Sequence, residues 1–122
     1  MRTRDGRNFV LEEDLTFIRP AEVGGAAIRV PAGSTTDGAS IPEPLWSAGF
    51  PPFGPWWMAA VLHDAAYRRQ TVPEIPNRQT ADLVFWEAMV ALGVEASIAR
   101  TIYAGVRAGG QHAWDENRVA TP

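Results

Sequence analysis

Hydrophobic and polar residues alternate differently in the two halves of the chain. In the first thirty residues, apolar side chains fall into three short runs, at residues 8–11, 15–18 and 27–30, separated by polar or Gly- and Pro-containing joints. Short runs rich in Val, Ile, Leu and Phe between turn-forming residues are typical of β-strands. We therefore predict a small N-terminal antiparallel β-sheet over residues 1–30, with Pro31 ending the third strand.

The middle of the chain, residues 31–55, follows neither a strand nor a helix pattern. Its first part is rich in Gly, Ser, Thr and Asp, which favour turns. The stretch that follows, residues 45–57, combines five aromatic residues with several prolines. Because proline breaks a helix interior, we predict a motif-bearing loop followed by an aromatic loop.

The second half of the chain has helical periodicity. We predict helices over residues 56–70, 80–92 and 95–107, the first two packed as an antiparallel pair, with apolar positions every three or four residues. Residues 109–122 are polar and lack a period, so we expect a loose tail. Together these patterns predict an α+β fold in one domain, residues 1–122, since 122 residues supply one core.

Composition narrows the classes of function. The net charge is −3 with both signs mixed along the chain, which gives no basic stripe for nucleic acid. The absence of Cys excludes disulfides and thiolate sites, so any metal would be held by oxygen or imidazole. No apolar run resembles a signal peptide or reaches the roughly 20 residues of a membrane span. We expect no transmembrane segment and no secretion by a signal of its own.

Four polar side chains interrupt the apolar helices. His63, Asp64 and Tyr67 lie in the first helix, and Asp82 lies near the middle of the apolar stripe of the second. A buried carboxylate without a partner is costly, so Asp82 should meet a donor. Arg78, one turn earlier, is one candidate donor. His63 and Tyr67, from across the core, are the other.

Two interpretations of this cluster remain open. In the catalytic one, His63 is a general base, Asp82 fixes its tautomer and Tyr67 adds a hydrogen bond to the same carboxylate. Asp64, about a quarter turn away, would then suit a hard cation such as Ca²⁺. In the structural one, the cluster is a satisfied buried network and Asp64 pairs with an arginine.

A second motif, residues 35–42, reads TTDGASIP. Turn formation alone accounts for its composition, because Asp and Ser bond their own backbone. Alternatively, Thr36, Asp37 and Ser40 fold over the helix pair, and Asp37 becomes a second candidate metal ligand. Gly38 would then let the backbone approach a ligand closely.

The aromatic loop also permits two interpretations. Its rings either form a stiff lid on the core or form an exposed apolar rim, suited to a lipid interface or a protein partner. The candidate interface residues are Trp46, Phe50, Phe53, Trp56 and Trp57.

These motifs together resemble a phage- and prophage-associated family of proteins of unknown function, domain-of-unknown-function family 1353. Its pattern, VPAGxxTDGASIP followed by AAVLHDxxY and ADxxF, matches residues 30–33, 36–42, 59–67 and 81–85. The resemblance covers most of the chain and implies a phage setting, but the family label names no activity.

The helix pair is also similar, over about thirty residues, to the phospholipase A2 superfamily, where HDxxY on one helix faces an AD-type motif on the next. The resemblance implies that His63 activates water, with Tyr67 and Asp82 as its support. It further implies that Asp64 binds calcium, which would polarise the ester carbonyl. Two features differ: the Gly-rich calcium loop is not recognisable, and the disulfides of the secreted enzymes are absent.

Two functions follow as expectations. The first is a small phage-encoded hydrolase, calcium-dependent, acting on an ester of lipid or envelope material. The second is a non-catalytic structural or accessory component of a phage particle, at the tail or baseplate, with other phage structural proteins as partners. We expect the protein in the host cytoplasm during expression and, in the second case, in the virion.

Overall fold

The N-terminal part of the protein consists of short strands. The structure, a computed structural model, describes residues 2–3, 9–36 and 56–119. The strands are β1 (Arg2–Thr3), β2 (Phe9–Val10), β3 (Leu15–Ile18), β4 (Ala27–Val30) and β5 (Thr35–Thr36). They precede the helices, so the α+β class with a small antiparallel strand region is confirmed.

The described strands form two small antiparallel sheets, where a single sheet was expected. β3 and β4 make an antiparallel hairpin in which Leu15 faces Val30, whereas β2 pairs with β1 and β5. β5 was predicted as loop. Its two threonines are β-branched and suit a strand, and the backbone bonds between Leu11 and residues 33–34 bring them beside β2. Gly33, at φ 91°, makes the turn that this pairing needs.

Four helices follow within residues 56–119. They are α1 (Trp57–Tyr67), α2 (Arg78–Ala91), α3 (Ala96–Gly109) and α4 (Gln111–Val119). The Asn77 side chain caps α2 by accepting from the backbone N–H of Thr80 at 2.8 Å. Gly93, at φ 79°, follows the end of α2 as predicted for a glycine stop. Among the described helices, none is both long and apolar enough to cross a membrane.

α1 and α2 are antiparallel. Ala59 and Ala88 line one groove at one end of the pair, and Tyr67 meets Asp82 toward the other end. The predicted helix pair is therefore present. It is covered by α3 and by the β3–β4 hairpin, whose Val30 and Ile28 are buried against it.

α4 corrects the expectation of a loose tail. Its residues lack an apolar stripe, and tertiary contacts fix the helix instead. Trp114 packs edge-on against Tyr67, and Arg118 donates to the carbonyl of the same residue. The C-terminal part thus holds four helices where three were predicted.

Candidate functional site: a buried His–Asp–Tyr cluster

The site is built from the facing apolar sides of α1 and α2. His63 is 3% exposed and Asp82 is 0% exposed, and His63 Nε2 lies 2.6 Å from Asp82 Oδ1. The Tyr67 hydroxyl, one turn beyond His63, donates to the same oxygen at 2.7 Å. The three residues that the sequence placed on facing stripes therefore meet in the core.

The second oxygen of Asp82 is held by two arginines. Arg107, from α3, donates to Oδ2 at 2.8 Å, and Arg78, one turn before Asp82, lies 3.4 Å away. Arg78 also donates to the backbone carbonyls of Val106 and Arg107, each at 3.1 Å. It thereby caps the C-terminal end of α3 and ties that helix to the site.

The surroundings keep Asp82 ionised and Tyr67 protonated. Burial alone raises the pKa of Asp82, but the hydrogen bonds from His63, Tyr67 and Arg107 outweigh it, and the pKa lies below its ordinary value. Burial, followed by the bond to Asp82, raises the pKa of Tyr67 far above its ordinary value. At neutral pH the carboxylate is therefore an acceptor for four donor groups.

The two ring nitrogens of His63 differ in their hydrogen bonding. Since an ionised Asp82 only accepts hydrogen bonds, Nε2 must carry the proton that it donates. Nδ1 is buried and has no hydrogen-bond partner within residues 9–36 and 56–119. The ring is fixed by Phe85, stacked at 4.5 Å between centroids, and by Tyr67 at 4.4 Å. In the neutral imidazole, Nδ1 is consequently a lone pair held in one orientation.

Asp64, the chain neighbour of His63, pairs with an arginine. Its Oδ2 lies 3.5 Å from Arg68 Nε, and Arg68 also reaches Thr35 Oγ1 at 3.3 Å. The arginine pairing expected in the structural interpretation is thus present.

The described residues do not by themselves fit a calcium ion beside Asp64. Calcium takes six to eight oxygen ligands. No group of three or more His, Cys, Asp or Glu that could hold a metal occurs within residues 9–36 and 56–119. Asp37, the second candidate ligand, lies outside the described residues.

The TTDGASIP motif begins beside the end of α1. Thr36 is buried, and the backbone N–H of Thr35 donates to Gln70 Oε1 at 3.1 Å. This brings the start of the motif to the end of the helix that carries His63. Gly38 and Ser40 lie outside the described residues.

The aromatic candidates are only partly described, since Trp46, Phe50 and Phe53 lie outside the described residues. Trp56 is 4% exposed and belongs to the core, so it cannot form part of an exposed rim. Trp57 is half-buried and packs edge-on against Phe9 at 5.7 Å. Both agree better with the core-lid interpretation.

Three residues that contact the cluster were not predicted. Arg107 stands in the last turn of α3, where a basic residue is ordinarily explained by the helix dipole. Trp114 and Arg118 lie in the stretch expected to be loose. The isolated Trp114 in a polar stretch was the one available signal that this stretch packs on something.

Comparison with known proteins agrees with the motifs. Residues 9–106 match the model of a family described as "Protein of unknown function (DUF1353)". Neither the curated proteins nor the solved structures gave a match. The matched region includes strands β2 to β5, helices α1 and α2 and most of α3. It ends at Val106, one residue before Arg107. Since the match spans most of the chain, the protein belongs to the DUF1353 family of proteins of unknown function.

Proposed function

We propose that the protein is a small hydrolase of lipid or envelope esters in which His63 is the general base. The observation that carries the proposal is the Nδ1 atom of His63, which is buried, fixed in orientation and without a hydrogen-bond partner among the residues that the structure describes. The other ring nitrogen is held by a carboxylate that is itself fully bonded. An orienting carboxylate on one nitrogen and a lone pair on the other are the features of a histidine base.

In the proposed reaction, Nδ1 takes a proton from a water molecule as the water oxygen attacks the ester carbonyl. The same proton then passes to the leaving alkoxide as the carbon–oxygen bond breaks. Asp82 stays ionised and stabilises the transient imidazolium, and Tyr67 and Arg107 keep the carboxylate in place. No step is routed through calcium, because the described residues do not form a site for it.

The groove at the Ala59–Ala88 end of the α1–α2 pair, about one helical turn from His63, would suit an apolar substrate. It has a volume of about 250 Å³ and lies between the β3–β4 hairpin and the α1–α2 pair. Leu62, the chain neighbour of His63, lines it together with Phe17 and Leu92. An acyl chain is the ester component that such a lining suits.

The chain's two histidines allow a matched test. Release of fatty acid from phospholipid vesicles would be measured for the wild type, His63→Gln and His112→Gln, each with calcium and with a chelator. We expect His63→Gln to lose about 10²- to 10⁴-fold in rate, as for a removed general base. His112 is exposed on α4, so its variant should keep the wild-type rate. A wild type without hydrolysis of any ester, or an active His63→Gln, would refute the proposal.

A second candidate function is a non-catalytic component of a phage particle. Burial of both His63 and Asp82 favours it, because a closed, fully donated carboxylate network gives a core its unique arrangement without chemistry. The hydrolase requires the residues over Nδ1 to open, whereas the structural network does not.

Diethyl pyrocarbonate distinguishes the two candidates because it acylates an accessible imidazole lone pair. In the folded protein His112 serves as the internal reference, read out by mass spectrometry. Measurable modification of His63, at a rate comparable to that of His112, supports the hydrolase. Complete protection of His63, together with copurification of the protein with phage particles, supports the structural component.

A further inference from the structure

The C-terminal helix contacts the site through Tyr67. The Trp114 ring meets the Tyr67 ring edge-on, with centroids 5.3 Å apart and planes at 82°. Arg118 Nη1 donates to the backbone carbonyl of Tyr67 at 2.6 Å. The guanidinium carbon of Arg118 lies 3.1 Å from the centroid of Trp114, so the two residues act as one clamp.

The turn into α4 closes the other side of the Tyr67 hydroxyl. A Cβ added to Gly110 would lie 2.5 Å from Tyr67 Oη and 3.1 Å from Arg78 Nη1. Real Cβ atoms essentially never lie within 3.0 Å of another group, so the absence of a side chain at Gly110 leaves the hydroxyl its place. The hydroxyl is consequently bounded by Asp82 and the Gly110 turn, and the Trp114 ring packs against the Tyr67 ring.

The position of Tyr67 bears directly on His63. Tyr67 Oη and His63 Nε2 both bond to Asp82 Oδ1, at 2.7 and 2.6 Å. Their rings are in contact, with centroids 4.4 Å apart. A Tyr67 ring that swings away from Asp82 would remove a donor from that oxygen and open a path for water to the His63–Asp82 bond.

We propose that α4 is a positioning element of the site, in which Trp114 and Arg118 hold Tyr67 against Asp82 and so keep the His63–Asp82 hydrogen bond closed. This inference rests on the proposed function for its catalytic meaning. Trp114 and Arg118 touch no reacting atom and act through Tyr67.

The Nε2 proton of His63 reports on this role without any substrate. In ¹⁵N-histidine-labelled full-length protein, the rate at which this proton exchanges with water measures how often the contact opens. His112 gives the signal of an exposed imidazole, and His63→Gln assigns the buried one. We expect Trp114→Ala and Arg118→Gln to accelerate the exchange about tenfold, because each loses part of the clamp on Tyr67.

Two variants serve as controls. Trp114→Phe keeps an aromatic edge against Tyr67 and should restore exchange close to the wild-type rate. Trp86→Ala removes a tryptophan of similar burial, which packs edge-on against Tyr103 at 5.9 Å between centroids and not against Tyr67. It should leave the exchange rate unchanged, although it lowers stability as any such deletion does.

Unchanged exchange in Trp114→Ala would overturn the inference, and so would an equal acceleration in Trp86→Ala, which would indicate general loosening. If Trp114→Ala does not fold by circular dichroism, folded Arg118→Gln decides alone: acceleration supports the inference and wild-type exchange overturns it. The outcome is independent of the hydrolysis assay. If exchange is accelerated in a protein that shows no hydrolysis, α4 still positions the residues of a structural network. Only the proposed hydrolase activity would then be refuted.

Discussion

Asp82 is the residue on which the cluster depends. Its two oxygens accept from His63, Tyr67, Arg107 and Arg78, which come from three helices. Neutralising this carboxylate would lower the stability of the fold, since Arg78 and Arg107 would then face each other without a counter-charge. At this position, shape and charge are separable, because Asn has almost the same shape as Asp.

Asp82→Asn should therefore lower the free energy of unfolding by about 3 kcal/mol, near the lower end for breaking a buried pair because Arg107 is partly exposed. Urea denaturation followed by circular dichroism gives the value. Glu74→Gln is the control, because its ion pair with Arg69 is exposed and should contribute little. If Asp82→Asn lowers the free energy of unfolding by less than about 1 kcal/mol, the negative charge of Asp82 does not stabilise the fold through its two arginines.

The same carboxylate predicts a pH dependence. Its pKa in the folded protein lies below the ordinary value of 3.8. A depressed pKa means that its contribution to stability is fully present above about pH 4 and is lost as the pH falls through the folded value. The difference in unfolding free energy between the wild type and Asp82→Asn should thus shrink as the pH falls below about 4. Urea titrations at several pH values measure it, and a difference that stays constant at low pH would contradict the assignment.

At the scale of elements, the helices differ in how far the sequence predicted them. α3 has an apolar stripe, and α1 and α2 are largely apolar with helical spacing, so the existence of these three helices could be predicted, and with it the meeting of His63 and Asp82. α4 has no apolar stripe. Its place depends on Trp114 and Arg118 meeting the far end of α1, a contact between residues about fifty positions apart that no local pattern contains.

The strands show the same division. The β3–β4 hairpin is local, and both of its strands were predicted with the bounds found. The pairing of β2 with β5 joins segments about twenty-five residues apart, and β5 was missed. Arg107 follows the same rule, since its contact with Asp82 joins two helices. Periodicity predicts which face is buried, but not which distant group will meet it.

One ion pair joins the hairpin to the helix pair. Arg19, just after β3, makes two hydrogen bonds to Glu87 of α2, at 2.8 and 2.9 Å, and their side chains are 14% and 8% exposed. Bidentate geometry and low exposure distinguish this pair from ordinary surface pairs. A double-mutant cycle with Arg19→Met and Glu87→Gln should give a coupling energy of about 1–2 kcal/mol.

The Arg29–Asp14 pair of the same hairpin supplies the comparison. Its side chains are 44% and 49% exposed, so its cycle should give a clearly smaller coupling. Equal coupling energies for the two pairs, measured from urea denaturation, would show that Arg19 and Glu87 do not anchor the hairpin to α2.

At the scale of the whole molecule, strands and helices share one set of buried side chains. Val30 of the hairpin, Leu62 of α1, Phe85 of α2 and Ile102 of α3 are all at most 2% exposed and belong to the same cluster. His63 lies inside this cluster, because it stacks directly on Phe85, whereas Arg107 on the other side of Asp82 is partly exposed. Any motion that opens the site must therefore also disturb packing in the core.

This shared core predicts a single cooperative unfolding transition for the described strands and helices. If the hairpin contacted the helices only through exposed residues, it would unfold separately from them. Instead, its buried residues and the Arg19–Glu87 pair couple it to α2. Tryptophan fluorescence and far-ultraviolet circular dichroism should give coincident midpoints and slopes in urea. Arg19→Met should shift both midpoints together. If fluorescence and circular dichroism separate in this variant, or already in the wild type, the hairpin is an independently unfolding unit, and the site is supported by the helices alone.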